Sequence, residues 1–360
     1  MNQLLDPPRV VETTLAADQK IEVRKATLED RSRWDTFVQS QDDRSVFHAW
    51  AWHDVLPKIF GNISHSLIAV ASNEIVGVLP LFEVKTMLFG HSLVSIPFGH
   101  YAGPLAHNRK IEELLIAKSL DLGQKLGVGH VEMRHTRPIT NWPKNDLLYV
   151  TFKKQISLNA EENLAAIPRK QRAMVRKGIK NELIAELGTT KEFFELYSEN
   201  MHRHGSPTYS QKYFDCLLSN FPGKADIWIV KNSSGKPLTG VLTLYNDREA
   251  FPIYAGDTDS ARGLAANDFK YWTLMTHAAA KGCTLFNFGR SKVGTGSYDF
   301  KRYWGFEPIP LTYEYKLIKR DSIPANNPAN PKFQLLVKTW RLLPRSLVNR
   351  LGPIIVKGLG

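Results

Sequence analysis

Residues 286–308 read FNFGRSKVGTGSYDFKRYWGFEP. No other run of this length holds so many chemically committed residues. Phe286 and Phe288 look like the end of an apolar strand, which runs into Gly289, Arg290 and Ser291. A loop with Gly294 and Gly296 follows, and then Tyr298, Asp299, Phe300, Lys301, Arg302, Tyr303, Trp304, Gly305 and Phe306. Glycines let a backbone adopt positive φ and approach a ligand closely. Arg290 offers a planar fork for a carboxylate or phosphate. Lys301, set among aromatics, can lie partly desolvated beside a reacting centre. The competing reading is a strand, a glycine loop and a helical turn packed by aromatic rings.

The residues upstream repeat a pattern that this stretch completes. HSLIAVASNEIVGVLPLF (65–82) mirrors ADIWIVKNSSGKPLTGVLTLY (225–245). A helix over 109–126, closed by Gly127 and Gly129 and followed by a strand over 130–135, mirrors a helix over 268–281, closed by Gly282 and followed by a strand over 284–288. The spacing further predicts a strand over 21–27 and a helix starting at Leu28 with Thr27 as N-cap and Asp30 as its acidic partner. A helix over 46–57 and strands over 65–71, 74–83 and 88–97 complete the first half. The second half opens with a basic helix over 158–179. Helices over 190–204 and 211–220 and strands over 226–231, 238–246 and 250–256 follow. The fold class is therefore α/β, with two tandem units of mixed, mainly antiparallel sheet flanked by helices. The units run over 21–155 and 156–320, each of ordinary domain size. They follow a flexible leader over 1–20. They precede a proline- and asparagine-rich linker and basic amphipathic tail over 321–360.

Composition narrows the partners. Lys plus Arg number 47 against 35 Asp plus Glu, a net +12. This favours an anionic partner: a nucleotide, a phosphorylated carrier, tRNA or a membrane surface. Cys216 and Cys283 lie far apart and without metal-type spacing, which points to a reducing compartment. The first twenty residues lack a basic flank and apolar core, and no run of about 18 apolar residues occurs, so neither a signal peptide nor a membrane span is expected. The histidines form no ligand cluster, and no metal is expected.

Three stretches resemble the Fem family of bacterial peptidyltransferases. They are SLNAEENLAAIPRKQRAMVRKGIK (157–180), RGLAANDFKYWTLMTHAAAKGCTLFNFGRS (262–291) and YDFKRYWGFEP (298–308). In the last, Phe300-Lys301 matches the family's Phe-Lys pair. The combination looks most like the FemAB-related subgroup that accompanies exosortase/PEP-CTERM and exopolysaccharide systems, and the likeness spans roughly residues 22–320. It implies two domains of the acyl-CoA N-acyltransferase (GNAT) type. It also implies N-acyl transfer, in which an amine attacks a carbonyl held as an aminoacyl-tRNA ester or an acyl thioester. No tightly bound cofactor is implied, with acyl-CoA or aminoacyl-tRNA as co-substrate.

Such a reaction needs a free amine, a place for the developing oxyanion and a proton for the leaving group. Lys301, by the family match, is the candidate for charge stabilisation, against a surface lysine paired with Asp299 or Glu307. Tyr298 is a candidate proton donor or else an aromatic wall. Asp299 and His204 are candidate bases, or a helix cap and a solvated loop histidine. Phe300, Arg290 and Ser291 belong with substrate binding. Arg172 and Arg176 share a helix face with Arg169 and either grip phosphates or face solvent. Tyr101 lies in FGHYAGP (98–104), which resembles the family's aromatic-glycine loop and would line a groove between domains. Arg262, Gly263 and Asn267 occupy the place where GNAT donors set a pyrophosphate on a helix start. The glycine pattern there departs from the family's, which weighs against CoA and leaves Asn267 as an N-cap.

The expected protein is thus a cytoplasmic N-acyltransferase acting on an amine of a cell-envelope or exopolysaccharide precursor. An acyl-CoA-dependent acetyltransferase of a small molecule or sugar amine, and a non-catalytic adaptor of the polysaccharide machinery, stand as alternatives. In the tail, Phe333, Leu336, Trp340, Leu343 and Leu347 recur at helical intervals beside basic residues. That pattern suits a peripheral contact with the inner membrane or packing back on the second half.

Overall fold

The computed structural model describes residues 20–86, 90–324 and 331–358, with side chains from 337 onward in the last segment. The leader over 1–19 and the side chains of Phe333 and Leu336 lie outside the described residues.

The first half is built on two sheets. Strands Glu22–Lys25, Leu67–Ala71, Glu74–Leu79 and Leu105–Ala106 pair antiparallel in that order. A six-stranded sheet runs Ile63–Ser64, Phe82–Thr86, Gly90–Val94, His130–His135, Thr312–Leu317, Lys144–Asn145. The strand expected over 74–83 is therefore two strands in two sheets. Pro80 and Leu81 separate them, since proline has no N–H for a ladder.

An eight-stranded sheet forms the second half. Its main path runs Ile184–Leu187, Ala225–Lys231, Pro237–Tyr245, Glu249–Asp257, Leu285–Asn287, Tyr149–Gln155, Ser291–Lys292, and Pro308–Pro310 also pairs with Tyr149–Gln155. One strand pair in each half is parallel: Gly90–Val94 with His130–His135, and Glu249–Asp257 with Leu285–Asn287. Each encloses a crossover helix, Arg109–Leu126 and Ala266–Ala280 respectively, as parallel pairing requires. The internal repeat read from the sequence is this unit.

The halves exchange strands. Tyr149–Gln155, the end of the first unit as divided at 155, is hydrogen-bonded inside the second-half sheet. Thr312–Leu317, which follows the second unit's site, lies between His130–His135 and Lys144–Asn145 of the first. Glu314 fixes that insertion. It is fully buried, and its carboxylate accepts from the backbone N–H of Ile139 (2.9 Å) and Thr140 (3.0 Å).

Two expected helices are broken where the backbone demands it. The basic helix over 158–179 is Ala160–Ala166 and Arg169–Lys180, divided at Ile167-Pro168, because the residue before proline is pushed out of the helical region. The helix over 46–57 is a short 3₁₀ turn, Val46–His48, and then Ala51–Phe60. The tail forms helices Pro331–Leu342 and Arg345–Lys357, which pack back on the second half. Trp340 Nε1 donates to Ser206 O, and Arg345 pairs with Glu199 at 3.3 Å.

Candidate functional site

The parallel strands Glu249–Asp257 and Leu285–Asn287 pair at only two positions, Glu249 with Leu285 and Ala250 with Phe286. Beyond them the first-half loop 98–104 meets the second half. Phe251 packs on Phe47 and on the His100 ring, with centroids 5.2 Å apart in both cases. Gly289, at φ +70°, lets the chain turn directly under His100, where a Cβ would stand 3.0 Å from that ring's Cε1.

Asn287 ties the junction. It is fully buried, and both ends of its amide are used. The carbonyl accepts from Thr151 Oγ1 (3.0 Å) and from the Gly289 N–H (2.9 Å). The NH₂ donates to Glu249 Oε1 (2.8 Å) and to the Tyr101 hydroxyl (3.0 Å). Lys153 Nζ lies 4.9 Å from the Tyr101 ring centroid. Burial first of all pushes the Tyr101 phenol up to about 12.

Lys301 enters from the other side. Thr295 caps helix Gly296–Tyr303, whose inward face carries Lys301, 7% exposed. Its Nζ donates to Gly289 O (3.0 Å) and Arg290 O (3.1 Å), not to Asp299 or Glu307. The surface-pair alternative is thereby corrected. An ammonium has three N–H donors, so one is left for a ligand. Burial, followed by the neighbouring Arg290 charge, lowers Lys301 to about 7. Phe288, Phe300 and Trp304 pack around the helix.

Arg290 is fixed by Tyr313, whose hydroxyl accepts from Nη1 at 2.8 Å and donates to His100 O at 2.8 Å. The Arg290 backbone N–H donates to His100 Nδ1 (3.2 Å). Burial, then Arg290, Lys301 and Arg134, hold the imidazole well below its ordinary value. The ring is therefore neutral at pH 7 and carries its proton on Nε2. The Lys301 ammonium and the Arg290 guanidinium thus stand at the Gly289-Arg290 turn, with the His100 ring accepting from the turn's backbone. Such a turn suits stabilisation of negative charge developing on an oxygen.

The other expected residues fall in several places. Ser291 is buried with its hydroxyl 2.9 Å from Ser297. Phe300 packs on Tyr271, and Tyr298 meets Phe152 edge-on. Asp299 sits in the first turn of the Lys301 helix. His204 is the exposed C-cap of Thr190–Arg203, its carbonyl accepting from Arg341. The Lys301 ammonium bonds to Gly289 O and Arg290 O, and no hydrogen bond joins it to the His204 side chain. Arg172 donates to Ile167 O and Arg176 is exposed on the same helix, which packs on Ala266–Ala280 through Gly178.

Arg262, Gly263 and Asn267 do not make a phosphate cradle. Arg262 and Gly263 are exposed. The helix begins at Ala266 with Ala265, at φ +58°, as its N-cap, so Asn267 is not the cap. Its side chain turns inward instead: Nδ2 donates to Asp257 Oδ2 (2.7 Å), and Oδ1 accepts from Thr239 (2.9 Å) and Lys270 (3.0 Å). Lys270 is a second buried lysine, lowered to about 8 by burial. The sequence reading missed it, and missed Asn287, His100, Lys153 and Tyr313. His100 lies in a quoted loop but was passed over for Tyr101. The others have no local signature.

The first half also holds a cavity of about 630 Å³, whose lining includes Asp43, His48, Tyr101, Gly103, Arg134 and His135. His135 is 8% exposed, and its Nε2 has no hydrogen-bond partner. A Cβ at Gly103 would stand 1.6 Å from that ring, so only glycine leaves room for it.

The family model described as an acetyltransferase (GNAT) domain matches residues 165–302. These residues form a GNAT domain. They contain the crossover helix, the Asn287 junction and Lys301. Among solved structures, FemX superposes on 88% of this chain and all of its own, with a TM-score of 0.64 and 15% identity. L-PGS from Bacillus licheniformis covers 89% of this chain and 99% of its own (TM-score 0.54, 14% identity). A tandem GNAT protein from the clavulanic acid biosynthesis pathway covers 82% and 98% (0.53, 11%). At these identities the likeness is one of fold: the described residues share the tandem GNAT fold. No curated protein matches the sequence. Among the described residues, no helix is long and apolar enough to cross a membrane, and no group of three or more His, Cys, Asp and Glu could hold a metal ion.

Proposed function

We propose that the protein is an N-acyltransferase that joins an aminoacyl group to an amine of a cell-envelope or exopolysaccharide precursor in the bacterial cytoplasm, in the manner of the FemAB-related subgroup. The observation that carries this reading is the buried Lys301 ammonium, held by two carbonyls with its third N–H unspent. The acceptor nitrogen attacks the donor carbonyl and forms the C–N bond. Lys301 stabilises the oxyanion. The carbonyl re-forms as the C–O bond to the leaving ribose oxygen breaks. The proton lost by nitrogen balances the one gained by that oxygen, with Tyr298 on the Lys301 helix as its donor. The first-half cavity is the acceptor's place. Its wall residue Tyr101 is bonded to Asn287, and Asn287 in turn holds Gly289, the residue whose carbonyl anchors Lys301.

Between the two donors, the crossover-helix start weighs against a pyrophosphate, because the Asn267 side chain there is already spent on Asp257, Thr239 and Lys270. The exposed basic face of Arg169–Lys180 suits an acceptor stem. An aminoacyl-tRNA ester is therefore the preferred donor over acyl-CoA. The test is incubation with charged tRNA or acyl-CoA and extracts of amine-bearing precursors, with mass spectrometry reading the product. Transfer from acyl-CoA alone would overturn the donor assignment, and transfer from neither would overturn the reaction. Arg172→Ala combined with Arg176→Ala is expected to weaken tRNA binding and reduce the slope of log K against log salt by about 1 to 2. A filter-binding titration at several salt concentrations checks it.

A further inference from the structure

The helix Arg345–Lys357 has one face too many. Val348, Gly352 and Val356 are buried, with Gly352 so close to Thr208 that a Cβ would stand 2.8 Å from its backbone nitrogen. This face holds the tail on the protein. Leu347, Leu351, Ile354 and Ile355 fall at i, i+4, i+7 and i+8, a single stripe of a helix that adjoins the buried face at Leu351 and Ile355 and turns away from it at Leu347 and Ile354. Leu347 is 40% exposed, Ile354 68% and Ile355 37%, and Leu342 at the end of the preceding helix is 84% exposed. Nothing in the core needs these side chains.

Cations surround the stripe. Lys338, Arg341, Arg350 and Lys357 are exposed, and residues 322–360 contain no Asp or Glu. Among the described residues, Arg345, bound to Glu199, is the tail cation that forms an ion pair. Arg350 and Lys357 flank the stripe on one side of the helix, and Lys338 and Arg341 lie near Leu342 on the other helix. An apolar stripe edged by unpaired cations is the pattern of a helix that lies in a membrane interface. Neither tail helix is long and apolar enough to cross a bilayer, so the contact would be parallel to the surface.

We infer that this face docks the protein on an anionic phospholipid surface, with the Leu347, Ile354 and Ile355 side chains entering the headgroup–acyl boundary and Lys338 and Arg350 meeting lipid phosphates; Arg341 and Lys357 are turned onto His204 and Gly61 of the protein body. Charge selects this occupant. A second copy of the chain would bring the same cations to the interface, and like charges oppose that pairing. A soluble anion would leave the apolar stripe in water. The net charge of +12 adds a long-range attraction to a negative leaflet, strongest at low ionic strength. The inference is independent of the reaction proposed above.

The test is flotation of the full chain with phosphatidylcholine vesicles, with and without about one third phosphatidylglycerol. The protein is expected to float with the anionic vesicles and not with the neutral ones, and high salt should reduce the bound fraction. Leu347→Ser combined with Ile354→Ser should lower binding by about tenfold or more, from lost apolar burial. Lys338→Glu combined with Arg350→Glu should abolish it. Both pairs are exposed, and an unchanged thermal transition would confirm that the tail still packs. Equal binding by wild type and the serine variant would overturn the proposal, as would equal flotation with neutral vesicles. A concentration-dependent dimer in sedimentation that the serine variant abolishes would overturn it in favour of self-association.

Discussion

Lys301→Met should cut turnover of amine acylation by about 10²–10³-fold, the usual loss on removing a donor aimed at a developing oxyanion, with little change in substrate KM. Methionine keeps the length of the side chain and its packing beside Phe152. It removes the charge and the unspent N–H. The pH profile separates this role from a structural one. Burial and Arg290 bring Lys301 down to about 7, so the protonated form that stabilises an oxyanion is lost as pH rises through that value. Wild-type activity should therefore have a descending limb near pH 7 that the methionine variant lacks. Stability moves the other way. Between about 7 and the unfolded value of 10.5, the unfolded chain holds a proton that the folded chain has released. Stability consequently rises with pH across this window. The desolvation cost is greatest below pH 7 and absent in Lys301→Met. Thermal denaturation of both proteins from pH 6 to 10 should show the two curves diverging as pH falls. Wild-type turnover in the variant would remove Lys301 from the chemistry.

How much of this the sequence could reveal depends on the range of the interactions. The helix at Arg109–Leu126 and the strand at His130–His135 were readable to the residue, because an N-cap, an apolar period and a closing glycine all lie within one segment. The inward Lys301 was readable from its Phe-Lys context. Breaks at Pro168 and Pro80 are local signals that the apolar periodicity overrode. The exchanged strands were not readable as to place. Tyr149–Gln155 and Thr312–Leu317 alternate normally, but Thr151 meets Asn287 136 positions away and Ile139 meets Glu314 175 positions away. No local pattern names such a partner. For the same reason His100 reads only as a loop residue and Asn287 only as the end of a strand. Their roles arise only where loop 98–104 enters the gap between the parallel strands. Asn267 was misassigned because a helix-cap preference was overridden by the Asp257 carboxylate, which its amide reaches from inside the first turn.

Asn287→Leu should destabilise the fold by about 1–3 kcal/mol or more, the cost of leaving buried polar groups without a partner. Leucine is close to asparagine in size, so the cost is one of unpaired polar groups rather than of a cavity. Asparagine here uses both lone pairs and both N–H groups. Its loss leaves Glu249 Oε1, in a carboxylate 2% exposed, with the Asn246 amide bonded only to the other oxygen, and leaves the Gly289 N–H and the Tyr101 and Thr151 hydroxyls short of a partner. Each belongs to a different segment, so the damage is to the joint between halves. Denaturant titration should show a lower midpoint. An added plateau would appear if the halves then unfold separately. Asn287→Asp is the sharper probe. It keeps the shape but sets a second carboxylate against Glu249, and two such groups cannot both ionise cheaply in a buried site. The new aspartate's value must rise, so this variant regains stability as pH falls through it, while the leucine variant does not. Gly289 takes its position from Asn287 and Lys301 hangs on the Gly289 carbonyl. The aspartate variant should therefore recover Lys301-dependent turnover over the same acidic range in which it recovers stability. If stability returned without turnover, the geometry of the Gly289-Arg290 turn would have to be set by something other than this amide.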